Sequence, residues 1–131
     1  MPDRRRPVRL KRVYEHPSAA DGMRVLVDRL WPRGLTKHEV SADLWLRDAA
    51  PSSGLRRWYG HDAKRWRLFS RKYRLELARQ PEVLEILDDL RLRAPVTLIF
   101  GARDEAHSHA VVLREMLEEH SRTRHSRRTS S

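Results

Sequence analysis

The chain has 131 residues, a formal charge of +10 and no cysteine. That length suits one domain with a real core, and the absence of cysteine excludes disulfides, thiolate metal sites and a cysteine nucleophile while fitting a reducing cytoplasm. No apolar run is long enough to span a bilayer, and the opening Met-Pro-Asp-Arg-Arg-Arg does not read as a secretory signal, so the expected location is cytoplasmic, with no membrane partner.

Charge is unevenly spread. Residues 1–7 carry three arginines against one aspartate, and residues 121–131 carry four arginines and no acid. Both read as disordered basic tails around a single domain over 8–120, which is itself only mildly basic.

Val8 to Glu15 alternates imperfectly between apolar and charged residues and reads as a strand with one exposed face. His16 to Gly22 is a loop by its Pro and Asp-Gly signals. Met23 to Leu30 reads as a buried strand whose apolar centre, Val25 to Val27, is bounded by Asp21, Arg24, Asp28, Arg29 and Arg33. Burying those charges unpaired would cost on the order of several kcal/mol each, so the strand is expected to open into a cleft at Trp31-Pro32-Arg33-Gly34. Thr36-Lys37-His38-Glu39 matches a capping box and starts a short helix. Ser41 to Ala50 fits either helical or strand period.

Leu55 to Tyr59 reads as a short helix stopped by Gly60. Asp62 is placed to cap a helix over about 63–79, whose Trp66, Phe69, Tyr73 and Leu77 form one apolar stripe. Pro81 suits the first position of the next helix, with Val83, Leu84, Leu87 and Leu90 on its buried side. Pro95 to Gly101 is a second buried strand with proline at its permitted start. Asp104 is placed to cap a last helix over about 105–119, with Val111, Val112, Met116 and Leu117 near its core face. Strands separated by helices imply an α/β fold: a small, mainly parallel sheet flanked by helices, three-layered in the Rossmann or flavodoxin manner, with any ligand beyond the strand carboxyl ends.

Three ordered motifs carry a family resemblance. They are Asp21-Gly-x-Arg24-x-Leu-Val-Asp28-Arg29-Leu-Trp31-Pro32-Arg33-Gly34, then Ala50-Pro51-Ser52-x-x-Leu55-Arg56-x-Trp58-Tyr59-Gly60-His61-Asp62, then Val96-Thr-Leu-Ile-Phe-Gly-Ala-Arg103-Asp104-x-x-His107. Over about 8–119 the chain resembles the bacterial family called domain of unknown function 488, in its short YeaO-like branch. The resemblance implies a compact cytoplasmic α/β domain and brings no settled activity. The family usually has Asn after the third motif's His, where this chain has Ser108.

Each constellation has a functional and a structural reading. Asp28 and Arg29, at a strand end, could orient a substrate and hold an anion, or could be ion-pair partners fixing the following turn, with Arg33 or Arg103 opposite Asp28. His61 could work as an acid or base near neutral pH, or be a loop residue beside the cap Asp62. Arg103 and Asp104 stand before a helix whose N–H groups suit a phosphate or carboxylate. His107 and His109, two apart on a helix, point different ways, so no metal site is expected. The basic and aromatic run 55–79 reads either as core plus solvated face or as a nucleic-acid surface.

The combined expectation is a cleft that binds or acts on a small anionic or nucleotide-like ligand, without a metal or other cofactor. Asp28, His61 and Asp104 are the candidate catalytic groups; Arg24, Arg29, Trp31, Arg33, Arg103 and His107 are the candidate ligand-binding groups. Hydrolysis at a sugar carbon is one reaction such groups support. The alternative is a nucleic-acid-binding module without chemistry, using the basic tails and the 55–79 face.

Overall fold

The computed structural model describes residues 6–130, with side chains described to Glu119. Residues 1–5 of the basic arm lie outside the described residues. Four strands, β1 (Val8–Arg12), β2 (Met23–Leu26), β3 (Leu44–Trp45) and β4 (Val96–Phe100), alternate with five helices. The helices are α1 (Lys37–Val40), α2 (Ser53–Tyr59), α3 (Trp66–Ala78), α4 (Pro81–Arg93) and α5 (His109–Ser130). The sheet order is β1-β4-β2-β3, and every pairing is parallel. The α/β class and the parallel sheet follow the sequence expectation.

Every residue of β4 is buried, as a strand between two neighbours and two covered faces requires. Val96, Leu98 and Phe100 join Val8, Val25 and Val27 on one face, where apolar residues of α2, α3, α4 and α5 meet them. Ile99, Leu26 and Val13 face the other way, toward Val40, Trp31, Leu35 and Trp45. The layers are therefore unequal. Four helices cover one face, while α1 and the segments beside it cover the other.

The capping box at Thr36 forms as expected, with the Glu39 N–H donated to the threonine hydroxyl and the Thr36 N–H to the Glu39 carboxylate. β2 ends at Leu26 rather than Leu30, because Asp28 and Arg29 turn out of the ladder toward other partners. Residues 41–50 resolve into β3 and a 3-10 turn over Arg47–Ala49. The stripe on α3 buries Phe69, Tyr73 and Leu77, while Trp66 stays half-buried. On α5, which starts at His109 rather than Glu105, Val112 and Leu117 are buried as expected, with Ala110 and Leu113 beside them and Met116 packed partly buried against the core.

Arg6, at the end of the basic arm, is tied to α4. The Arg6 N–H donates to the Arg91 carbonyl at 3.0 Å, and the Arg91 Nε–H donates to the Arg6 carbonyl at 2.8 Å. Helix α5 runs past Glu119 to Ser130, through a stretch without a glycine or proline to stop it. No helix among the described residues is long and apolar enough to cross a membrane.

The amino edge of the sheet is held by buried charge. Asp21 and Arg24, with side chains 8% and 5% exposed, pair at 2.6 Å. Lys11 reaches both Asp21 oxygens at 3.1 Å. Arg24 also donates to the carbonyls of Val40 and Ser41, tying β2 to the end of α1. Burial pushes the Asp21 pKa up, but the Ser18 N–H, Lys11 and Arg24 outweigh it and hold the carboxyl below its usual value. Gly22, at φ +64°, lies so close to the Pro95 carbonyl that a Cβ would sit 2.3 Å from its oxygen, so only glycine fits there.

Two stability effects are expected. Phe69→Ala, in the centre of the core, should lower unfolding free energy by about 3–5 kcal/mol. Arg24→Ala should cost about 3 kcal/mol by removing one partner of a buried ion pair and the donors to the Val40 and Ser41 carbonyls. Urea denaturation measures both, and a loss under about 0.5 kcal/mol, the range of an ordinary surface change, would contradict these assignments.

Candidate functional site

The parallel register brings the carboxyl ends of β1, β4 and β2 to one edge of the sheet. Tyr14 follows β1, Gly101 follows β4, and Asp28 follows β2. A cavity of about 280 Å³ opens there. The segments Arg29 to Arg33, Ala50-Pro51, α2 and the start of α5 complete its wall.

Asp28 lies on its floor, held from both neighbouring strands. Oδ2 accepts the Gly101 N–H at 2.8 Å, and the main-chain carbonyl of Asp28 accepts the Trp45 indole N–H at 2.7 Å. Oδ1 makes no hydrogen bond and has essentially no exposed surface, and it lies 3.3 Å from Nε2 of His109. That nitrogen is also 2.9 Å from the Val27 carbonyl. A carbonyl only accepts, so Nε2 carries a proton. The Asp28 and His109 side chains are 21% and 14% exposed. Burial raises the Asp28 pKa despite the pull of His109 and the Gly101 N–H, and burial lowers that of His109 despite the opposite pull of Asp28 and the Val27 carbonyl. Each group is pushed toward its neutral form, so the fold gains nothing by keeping this carboxylate ionised. A charge held against its environment inside a cleft marks a candidate functional site.

Six of the residues singled out from sequence line this cavity: Asp28, Arg29, Trp31, Arg33, His61 and His107. Arg29 donates to the carbonyls of Ala50 and Pro51 and so holds one wall. Trp31 donates its indole N–H to Leu35 and packs edge-on against Trp45, with ring centroids 5.3 Å apart. Arg33 is exposed at the mouth. His61 follows Gly60, and both take left-handed backbone, at φ 57° and 53°. The expected ion pairs of Asp28 with Arg33 or Arg103 do not form.

Arg24, Arg103 and Asp104 are not brought to the cavity. Arg24 is the buried partner of Asp21 at the opposite edge of the sheet, because it stands at the start of β2. Asp104 and Arg103 are exposed outside it. The helix expected after them is a three-residue 3-10 turn, Glu105–His107, and the Asp104 carboxylate itself caps it by accepting the His107 N–H. An anion therefore finds its place filled by a carboxylate. Asp104 also pairs with Nδ1 of His107 at 2.7 Å, an interaction that lowers its pKa.

Sequence reasoning missed Tyr14, Arg56, Tyr59 and His109 as lining residues. His109 was set aside because two residues on one helix point apart. Ser108 breaks that premise: it is extended, at φ −95° and ψ 153°, and separates the 3-10 turn from α5. Both histidines thereby reach the cavity. Ser108, where the family usually has Asn, is buried and donates its hydroxyl to the Glu105 carbonyl at 3.2 Å. Tyr59 stacks on Phe69 and donates its hydroxyl to the His107 carbonyl. The Arg56 side chain has no hydrogen bond or ion pair among the described residues. No group of three or more His, Asp or Glu among the described residues could hold a metal ion.

A family model described as "Inactive DUF488-N3 subclade" matches residues 7–131. The chain is 43% identical over 110 residues to the uncharacterized protein Rv3073c of Mycobacterium tuberculosis (strain ATCC 25618 / H37Rv), covering 84% of this chain and 92% of that protein. The uncharacterized protein Mb3100c of Mycobacterium bovis matches with the same identity and coverage. The uncharacterized protein YeaO of Escherichia coli (strain K12) is 36% identical over 110 residues, covering 84% of this chain and 96% of YeaO. No solved structure matches the chain.

The buried pair makes a measurable prediction. His109 should titrate below 6.5, because burial lowers its pKa. Stability from its neutral form is then complete above 6.5 and is lost as pH falls through the folded value. Asp28→Asn removes the charge that favours imidazolium, so His109 should titrate lower still, as read by NMR of the ring carbons. The raised Asp28 pKa means that ionising this group costs stability as pH rises through its folded value, so the variant should be no less stable than the parent at pH 7. A rise in the His109 pKa in the variant would refute the assignment.

Proposed function

The chain belongs to the DUF488 family, and we propose that its cleft binds a small anionic or nucleotide-like ligand without converting it. One observation carries the reading. The single carboxylate lining the cavity is turned into the protein, while Arg33 and Arg56 stand at the cavity with their side chains uncommitted. A ligand entering therefore meets guanidinium and imidazole, which favour phosphate or carboxylate over a cation or an apolar group.

Binding is favoured over turnover by the same geometry. A general acid or base must reach the proton it moves. Asp28 is poorly placed for this: Oδ1 has essentially no exposed surface, and Oδ2 already accepts the Gly101 N–H. Asp104, the other carboxylate considered from sequence, stands outside the cavity, paired with His107. The word "inactive" in the description of the matching subclade supports the same conclusion.

Calorimetric titration with inorganic phosphate and with a nucleoside monophosphate at low ionic strength tests the proposal. Saturable binding is expected. Arg56→Ala should weaken it by about 1.5 kcal/mol, roughly tenfold, as loss of one charged hydrogen bond does. The melting temperature should hold, because Arg56 is exposed. Absence of saturable binding would overturn the reading; release of product from the nucleotide would overturn its non-catalytic half.

A further inference from the structure

Charge is segregated within the folded body. Residues 55–79 hold nine Lys or Arg against two acids, while the rest of 8–120 holds twelve against fifteen. The basic excess of the body thus lies on α2, α3 and the turn between them.

The structure separates this charge from the core. Helix α3 turns Phe69, Tyr73 and Leu77 to the sheet and leaves Arg67, Arg71 and Lys72 exposed, with Lys64 exposed in the turn before it and Arg79 just after it. Arg57, on α2, is exposed as well. Both acids of the segment are engaged: Glu76 accepts from the N–H and hydroxyl of Ser52, and Asp62 caps the turn before α3 and lies 3.8 Å from Arg65. Among the described residues, the only other ion pairs of the nine cations are those of Arg74 with Glu115 and Glu119. Trp58 bridges the two helices, with Lys72 4.5 Å and Arg65 5.2 Å from its ring. The tryptophan that the sequence offered as a stacking platform is therefore half-buried and covered by cations.

We propose that the solvent face of α2 and α3 binds nucleic acid through its phosphate backbone. Lys64, Arg67 and Arg71 follow one another at three- and four-residue steps, about 4.5–6 Å along the helix. That row presents guanidinium and ammonium groups at intervals comparable to successive phosphates. Nucleic acid fits better than a protein partner. The apolar content of the face is two separate leucines, Leu68 and Leu75, 47% and 61% exposed, whereas the buried centre of a protein interface is depleted in charge. The surface is distinct from the cleft and does not depend on what the cleft binds.

Fluorescence anisotropy with a labelled single strand of about 20 nucleotides, followed as salt rises from about 50 mM, tests this on the full chain. The parent should bind, with affinity falling steeply in salt. The triple variant R57E/R67E/R71E should bind at least tenfold more weakly. With three phosphate contacts gone, the slope of log affinity against log salt should flatten by about 2. R57Q/R67Q/R71Q should fall between variant and parent, and serves alone if the charge reversals impair folding. R9E/K37E/R93E, which makes the same change in net charge on other exposed positions, should stay within threefold of the parent. The proposal is overturned if the parent does not bind, if the two charge-reversed variants lose affinity equally, or if anionic phospholipid vesicles are bound and the strand is not.

Discussion

The backbone of β4 constrains the rest of the molecule. Five consecutive buried residues leave its N–H and C=O groups no water, so they must pair on both sides. β1 and β2 supply those partners over nearly the full length of the strand. Parallel pairing then forces a helical crossover between β3 and β4, and α2, α3 and α4 provide it on the face that carries Val96, Leu98 and Phe100. It also forces three strand ends to one edge. The cleft is a consequence of that register.

The two ends of β2 treat charge in opposite ways. At the amino edge Asp21 is surrounded by Lys11, Arg24 and the Ser18 N–H, which more than compensate its burial. At the carboxyl edge Asp28 has one N–H and a neighbouring imidazole whose pKa burial lowers. The first arrangement stabilises the fold as an ionised cluster. In the second, burial outweighs the partners, and the carboxyl is held above its usual pKa. Two aspartates seven positions apart in sequence thus have different physical roles.

The basic excess follows the same separation of roles. An amphipathic helix buries one stripe whatever stands on the other, so α3 meets the demands of the core through Phe69, Tyr73 and Leu77 and leaves its outer residues free to vary. That this outer side carries so many cations, while the remainder of the body carries more acids than bases, is not required by packing.

Much of the fold was readable from local pattern. The buried runs at Val25 and Val96, the capping box at Thr36, Pro81 at a helix start and the stripe on α3 each express a rule that acts within a few residues, and each appears in the structure. The bacterial family was readable for the same reason, from motifs that are contiguous in sequence. Only the tertiary structure decided where the charged residues between those elements go. Arg24 and Asp28 flank one short strand, yet a strand has two ends, and the parallel register sends Arg24 to one edge and Asp28 to the other. Arg103 and Asp104 looked like an anion site because a helix was expected to begin beside them, but a 3-10 turn capped by Asp104 takes that place. His109 entered the cleft through the extended backbone of Ser108, a break that no local signal announces. Periodicity reports which side of an element is buried. Which residues from distant segments share a cavity depends on strand order and on a few backbone angles, and these are settled by the packing of the whole chain.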